Sequence, residues 1–211
     1  MVRLDIFSDP ICPWCYIGKA NLDRALESRP DHPFVIEWHP FQLNPDMPAE
    51  GMDRRDYLTL KFGNPNDAVK AYMPVIEAAE AAGLTLDLGA VSRTPNTLDA
   101  HRLIHWAGLE GRQSAVVAAL FRAYFQQGRD IGDALVLTDI AGTAGMDADV
   151  AARLLATDAD MEAIRERDRH PRARGIQGVP CFVVADTHVV SGAQPVRLWQ
   201  DVIDEITRKE I

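Results

Sequence analysis

Cysteine is scarce, with three residues in 211: Cys12, Cys15 and Cys181. An odd trio cannot make a fully paired disulfide framework, and in a reducing compartment a close thiol pair is more often catalytic or metal-binding than structural. Long apolar runs are missing too. Those present, such as residues 115–121, are far too short to cross a bilayer, so no membrane partner is expected. The first residues, MVRLDIFSD, lack a basic segment, a long apolar run and a small-residue cleavage site. No signal peptide is expected there, and the expected compartment is the cytoplasm. Positive charge is not in excess either. With 31 acidic and 22 basic residues the formal net charge is −9, which repels a polyanion, so no nucleic acid partner is expected. The one basic concentration, RERDRHPRARG at 165–175, reads as a solvated helix end and loop, with a contact for a small anion as the alternative.

Against these gaps stands an ordinary globular composition, 47% apolar and 25% charged, with no internal repeat or low-complexity linker. The length allows one sizeable core, or one domain carrying a second as an insertion. VRLDIFS, residues 2–8, alternates like a short strand, and Asp9-Pro10 breaks it. A helix is predicted to begin near Cys12, with Pro13 in its first turn, and to run to about Ser28. FVIEWHPF, residues 34–41, reads as a second strand, parallel to the first. From about Pro45 helix follows helix. Asn96 is the predicted N-cap of one of them, and Pro74 predicts a kink or break in another. After Gly175 come two short strands, CFVVAD and HVVSG, predicted to form a hairpin, and a last amphipathic helix, PVRLWQDVIDEITRK. The expected fold class is α/β, a sheet with an inserted all-helical domain. Its expected parts are residues 1–44 (βαβ), 45–170 (helical) and 171–211 (ββα).

Chemistry concentrates in CPWC, Cys12 to Cys15. At i and i+3 the two thiols share one face of a helix, close enough for a disulfide. Cys12, at the helix start, meets unpaired N–H groups and the positive end of the helix dipole, which favour a thiolate and make it the nucleophile. Cys15, one turn in, would resolve a mixed disulfide from within. Two thiolates at this spacing are also half of a zinc site. The other half is hard to find, since there is no second CxxC. His101 and His105, at i and i+4 in HRLIH, could complete the set but read first as a packed or surface pair. Trp14 is either apolar surface beside the reactive sulfur or an aromatic in a tight turn. Asp9 and His39 are the nearest titratable candidates for proton transfer.

FSDPICPWCYIG, followed by GIQGVPCFVV and SGAQP, resembles the DsbA-like branch of the thioredoxin superfamily, specifically the FrnE-like proteins near 2-hydroxychromene-2-carboxylate isomerases. The resemblance spans the chain, NTLDAHRLIHWA included. It implies a thioredoxin fold interrupted by a helical domain, a catalytic Cys12 and Cys15, and a cis-proline at Pro180, which with Val179 would pair with an extended substrate. Spacing alone does not show a cis bond, since most X–Pro bonds are trans. The segment SGAQP resembles the site that glutathione-using relatives present to the γ-glutamyl end, which makes Gly192, Ala193 and Gln194 candidate contacts beside Trp14 and Val179. A plain turn and helix cap is the other reading.

Two departures from the family bear on function. Glutathione-dependent isomerases of this group commonly carry serine where this chain has Cys12, so the intact dithiol points to redox chemistry. Cys181 follows the cis-proline where the family more often has an aromatic, Thr or Ala, and it is either a buried strand thiol or a third sulfur near the pair. The expectation is a cytoplasmic thiol–disulfide oxidoreductase or isomerase, exchanging with protein thiols and disulfides or with glutathione. The alternative is a glutathione-dependent isomerase or transferase on a small organic substrate. No metal and no tightly bound cofactor is expected, glutathione is admitted as a co-substrate, and family analogy admits a homodimer.

Overall fold

The computed structural model describes residues 1–209. Strand β1 (Val2–Ser8) leads through the turn at Asp9-Pro10 into helix α1 (Pro13–Glu27), and β2 (Phe34–Pro40) returns parallel to β1 with Ile6 opposite Trp38. The hairpin β5 (Cys181–Val184) and β6 (His188–Ser191) extends the sheet on the other side of β1, antiparallel, to give the order β2-β1-β5-β6. Helix α9 (Val196–Lys209) packs beside α1.

Between β2 and β5 run α2 (Arg54–Phe62), α3 (Pro65–Ala81), α4 (Leu98–Leu109), α5 (Gln113–Phe125), α6 (Ala134–Thr143), α7 (Ala148–Leu155) and α8 (Met161–Ala173). A two-residue ladder of β3 (Met52–Asp53) and β4 (Arg93–Thr94), absent from the sequence expectation, ties the ends of the α2–α3 hairpin together.

Alternation along the strands decides what each sheet face carries. Ile6 pairs with Phe182, whose ring meets Trp199 of α9 edge-on at 4.7 Å and lies close to Gly18 of α1. Leu4, Ile6 and Phe182 therefore face α1 and α9, while Asp5, Phe7 and Cys181 point to the opposite face. The core is continuous from this sheet into the helical segment. Tyr16 of α1 stacks on Phe121 and Phe125 of α5 at 5.0 and 5.9 Å.

Three local expectations need correction. Pro74 does not break α3, which continues to Ala81, its face at Val75 and Ala79 buried against Ile17. Packing of that face outweighs the one lost N–H. Asn96 is not the N-cap of α4. Thr97 holds that position, and the Asn96 carboxamide oxygen accepts the Leu98 N–H at 2.9 Å from one residue earlier. The basic run at 165–175 is not wholly solvated and is mostly helical, because α8 extends past the boundary expected at 170 to Ala173. Arg167 turns inward to His105, His39 and Glu37, and Arg172 lies 3.9 Å over the Phe41 ring. Arg165, Arg169, Arg172 and Arg174 remain exposed, as the solvated reading expected, and Arg167 is the one that does not.

Candidate active site

Local chemistry sets the dithiol at the β1–α1 junction. Asp9-Pro10 ends the strand, the Asp9 carbonyl accepts the Cys12 N–H at 2.9 Å, and Cys12 becomes the N-cap with extended φ and ψ of −89° and 114°. Pro13 follows in the first turn, where its missing donor has no partner to lose. The Cys12 carbonyl accepts the N–H groups of Cys15 and Tyr16 at 3.1 and 3.3 Å, which brings Cys15 under Cys12. Both are free thiols and both are buried, Cys12 at 4% exposure and Cys15 at 1%, while Trp14 between them is 37% exposed.

The two sulfurs are not equivalent. Burial, first, and then the hydrogen bond and charge of Cys12 push the Cys15 thiol well above the ordinary thiol range; contacts with Ser8 and the Asp9 main chain act the other way. Cys15 thus holds its proton. Across from the helix, Cys12 Sγ faces the Val179 carbonyl at 3.7 Å, and the Val179–Pro180 bond is cis. These are the two elements, far apart in sequence, that the resemblance expected to meet.

The segment 191–195 is docked rather than open. The Gly192 N–H donates to the Pro180 carbonyl at 2.8 Å, with Gly192 at φ +81°. Asn21 of α1 donates to the Gln194 carbonyl at 3.0 Å, and the Gln194 side chain donates to the Ser191 carbonyl at 2.7 Å. Ala193 lies against α1, 3.5 Å from where a Cβ on Gly18 would sit. Gly192 therefore has no free N–H to offer a ligand carboxylate.

A model of the DSBA-like thioredoxin domain matches residues 3–204. The chain belongs to this DsbA-like family. Solved structures agree. One from Streptomyces coelicolor, described as a probable DsbA oxidoreductase, is 31% identical with a TM-score of 0.84, covering 97% of this chain and 89% of that one. A 2-hydroxychromene-2-carboxylate isomerase is 16% identical (TM-score 0.72, 99% and 97% covered). The cytosolic disulfide reductase DsbM of Pseudomonas aeruginosa, solved with GSH, is 18% identical (TM-score 0.69, 98% and 99% covered). Both of the latter share the fold.

In this DsbA-like chain Cys181 sits on the sheet face away from α1, opposite Phe7 and Ser191, and lines a cavity of about 510 Å³ with Val179 and Pro180. Burial raises its thiol above the ordinary range, against a weaker effect of Ser191. The histidine pair does not join the cysteines. His105 Nδ1 takes a hydrogen bond from Arg167 at 2.9 Å, and His101 faces Asp9. Among the described residues the one cluster with metal-ligand spacing is Asp5, Glu37 and His39, and Arg3 and Arg167 already pair with its carboxylates.

Gly18 was not a sequence candidate, although a glycine in a helix interior signals close approach. A Cβ there would lie 3.1 Å from Pro180 Cγ and 3.4 Å from Phe182 Cζ. Gly18→Val is expected to force the cis-proline loop off α1 and cost about 1–3 kcal/mol by overpacking. Urea unfolding checks it, and a wild-type midpoint would show that the loop yields freely.

His39 is engaged on the far sheet face, its Nε2 2.5 Å from Asp5 and its Nδ1 facing Arg167 at 3.3 Å. Burial, against the opposing pull of Asp5, lowers its affinity for a proton; burial and then Arg167 do the same to His105. With folded values depressed, the unfolded chain binds more protons as pH falls below about 6.5, so stability is lost on acidification from there. The urea midpoint is expected to drop between pH 7 and 5, and less steeply in His39→Gln/His105→Gln. Equal slopes in the two proteins would remove these imidazoles from the account.

Proposed function

We propose that this protein is a thiol–disulfide oxidoreductase whose working couple is Cys12–Cys15. The observation that carries the reading is the meeting of Cys12, at the N-cap of α1, with the Val179 carbonyl beside a cis-proline, while Cys15 waits protonated beneath. In the reducing direction the Cys12 thiolate attacks one sulfur of a partner disulfide. A bond forms between the two sulfurs, and the partner's other sulfur leaves as a thiolate. Cys15 then gives up its proton and attacks Cys12, forming the Cys12–Cys15 disulfide and releasing the first partner sulfur as a thiolate. Two electrons pass to the partner, and the reverse sequence oxidises it.

Val179 and Pro180 present the partner's backbone, and exposed Trp14 supplies apolar surface beside the sulfur. The partner class is protein disulfides or glutathione, and the compartment is a reducing one such as the cytoplasm. The DsbM structure with GSH supports glutathione as a co-substrate, whereas the engaged Gly192 N–H argues against capture of its γ-glutamyl end by that group.

The test is a redox titration against glutathione buffers, following the mass of alkylated thiols in a Cys181→Ser background. A two-electron transition with a midpoint between roughly −120 and −270 mV is expected, the upper end marking an oxidant and the lower a reductant. If no disulfide forms at any poise, the redox reading fails.

A further inference from the structure

Beneath the dithiol turn lies a pair of side chains that the exchange steps leave unused. Asp9 is fully buried, its Oδ2 accepting the Leu43 N–H at 2.6 Å and its Oδ1 without a hydrogen-bond partner. His101 of α4, also buried, aims Nε2 at that oxygen from 3.6 Å, and Nε2 has no hydrogen-bond partner either. Taking a carboxylate out of water costs several kcal/mol unless a cation or donor faces it, and the imidazole is what faces this oxygen.

Asp9 is also the residue from which the dithiol hangs. Its carbonyl holds the Cys12 N–H at 2.9 Å, and the Cys12 carbonyl in turn accepts the Cys15 N–H at 3.1 Å. The position of both sulfurs therefore depends on a residue whose side chain is fixed from one side by Leu43 and from the other by the helical segment. At 3.6 Å the contact is longer than a hydrogen bond, so it has room to tighten when the turn moves.

We propose that His101 is a positioning residue for the dithiol: through Asp9 it poises the Cys12–Cys15 couple from the helical segment. The inference rests on the redox reading above. Reduction of the disulfide delivers two electrons to the pair, breaks the bond between the sulfurs and frees Cys12 at the turn that the Asp9 carbonyl holds. The Asp9–His101 contact is the buried polar link between that turn and α4. Changing it alters the relative stability of the reduced and the oxidised turn.

The test compares His101→Leu with His101→Gln, both in the Cys181→Ser background, in glutathione redox titrations. His101→Gln keeps a donor for Asp9 Oδ1. His101→Leu is expected to change the equilibrium constant about tenfold, equivalent to about 30 mV for two electrons, with His101→Gln staying within threefold of the parent. A folded His101→Leu variant within threefold of the parent overturns the proposal. Should that variant not fold, the histidine-ring nitrogen spectrum of the parent decides. A His101 Nε2 resonance that differs between oxidised and reduced protein supports it, and one that is the same in both overturns it. A parent that forms no disulfide at any poise fails at the redox reading, whereas one that titrates normally beside an unchanged variant fails at His101 alone.

Discussion

Replacing Cys12 with serine is expected to abolish thiol–disulfide exchange, and replacing Cys15 with serine to halt it one step later with a mixed disulfide trapped on Cys12. The asymmetry follows from geometry. Cys12 caps α1 and faces the Val179 carbonyl, where a partner strand would lie, while Cys15 is buried below it with its proton held by desolvation. A hydroxyl in place of the Cys12 sulfur is no nucleophile at neutral pH, so exchange with a model disulfide should fall by at least about 1000-fold. In Cys15→Ser the first attack still occurs but nothing resolves it, so mass spectrometry should find the protein carrying the partner's thiol. If Cys12→Ser retains exchange, Cys15 or Cys181 is the attacking group and the assignment is wrong. If Cys15→Ser turns over at the parental rate, resolution comes from outside the chain, as with a glutathione-fed enzyme.

How much of this site could be read from the sequence depended on how local its causes are. The strand end, the proline in the first turn and the two cysteines lie within one stretch of about a dozen residues, and the chain's own turn chemistry places them. The β5–β6 hairpin was legible for the same reason, two β-rich runs with a turn between. Meetings across the fold were not. The cis geometry of Val179–Pro180 came from family resemblance alone, because its imide bond carries no local signal. His101 could be read only as half of an i, i+4 pair with His105, since nothing nearby says that one ring turns to Asp9 and the other to Arg167. Arg167 escapes the solvated reading of its charge run through the same blindness, while Arg165, Arg169 and Arg172 fit it. A charge run states its sign but not what the helix is laid against, and the inward side of α8 meets His39, Glu37 and Phe41.

Arg102, the neighbour of His101, carries the largest expected loss of stability. The side chain is fully buried, and its guanidinium donates to the carbonyls of Ala159, Leu154 and Thr157 at 2.7, 2.9 and 2.7 Å and to Asp99 at 2.8 Å, while stacking 4.9 Å from the Trp106 ring. It thereby gathers the connection between α7 and α8 onto α4. Arg102→Leu keeps apolar bulk but takes the guanidinium from the Ala159 and Thr157 carbonyls and the Asp99 carboxylate, while the Leu154 carbonyl keeps its bonds from Thr157, for an expected cost of about 3–5 kcal/mol. Arg102→Lys should recover little of it, because one ammonium cannot span a fork of four acceptors. Urea unfolding with an unchanged m-value measures the loss, and a cost under about 1 kcal/mol would mean that water replaces the guanidinium at those carbonyls. Successive residues of α4 project about 100° apart, so Arg102 faces the α7–α8 connection while His101 faces the dithiol turn. The two substitutions should therefore separate, with Arg102→Leu lowering stability while the glutathione equilibrium of the folded protein stays at its parental value. A redox shift in Arg102→Leu as large as that in His101→Leu would show instead that α4 moves as a unit, and that its seating as a whole, rather than the His101–Asp9 contact, governs the couple.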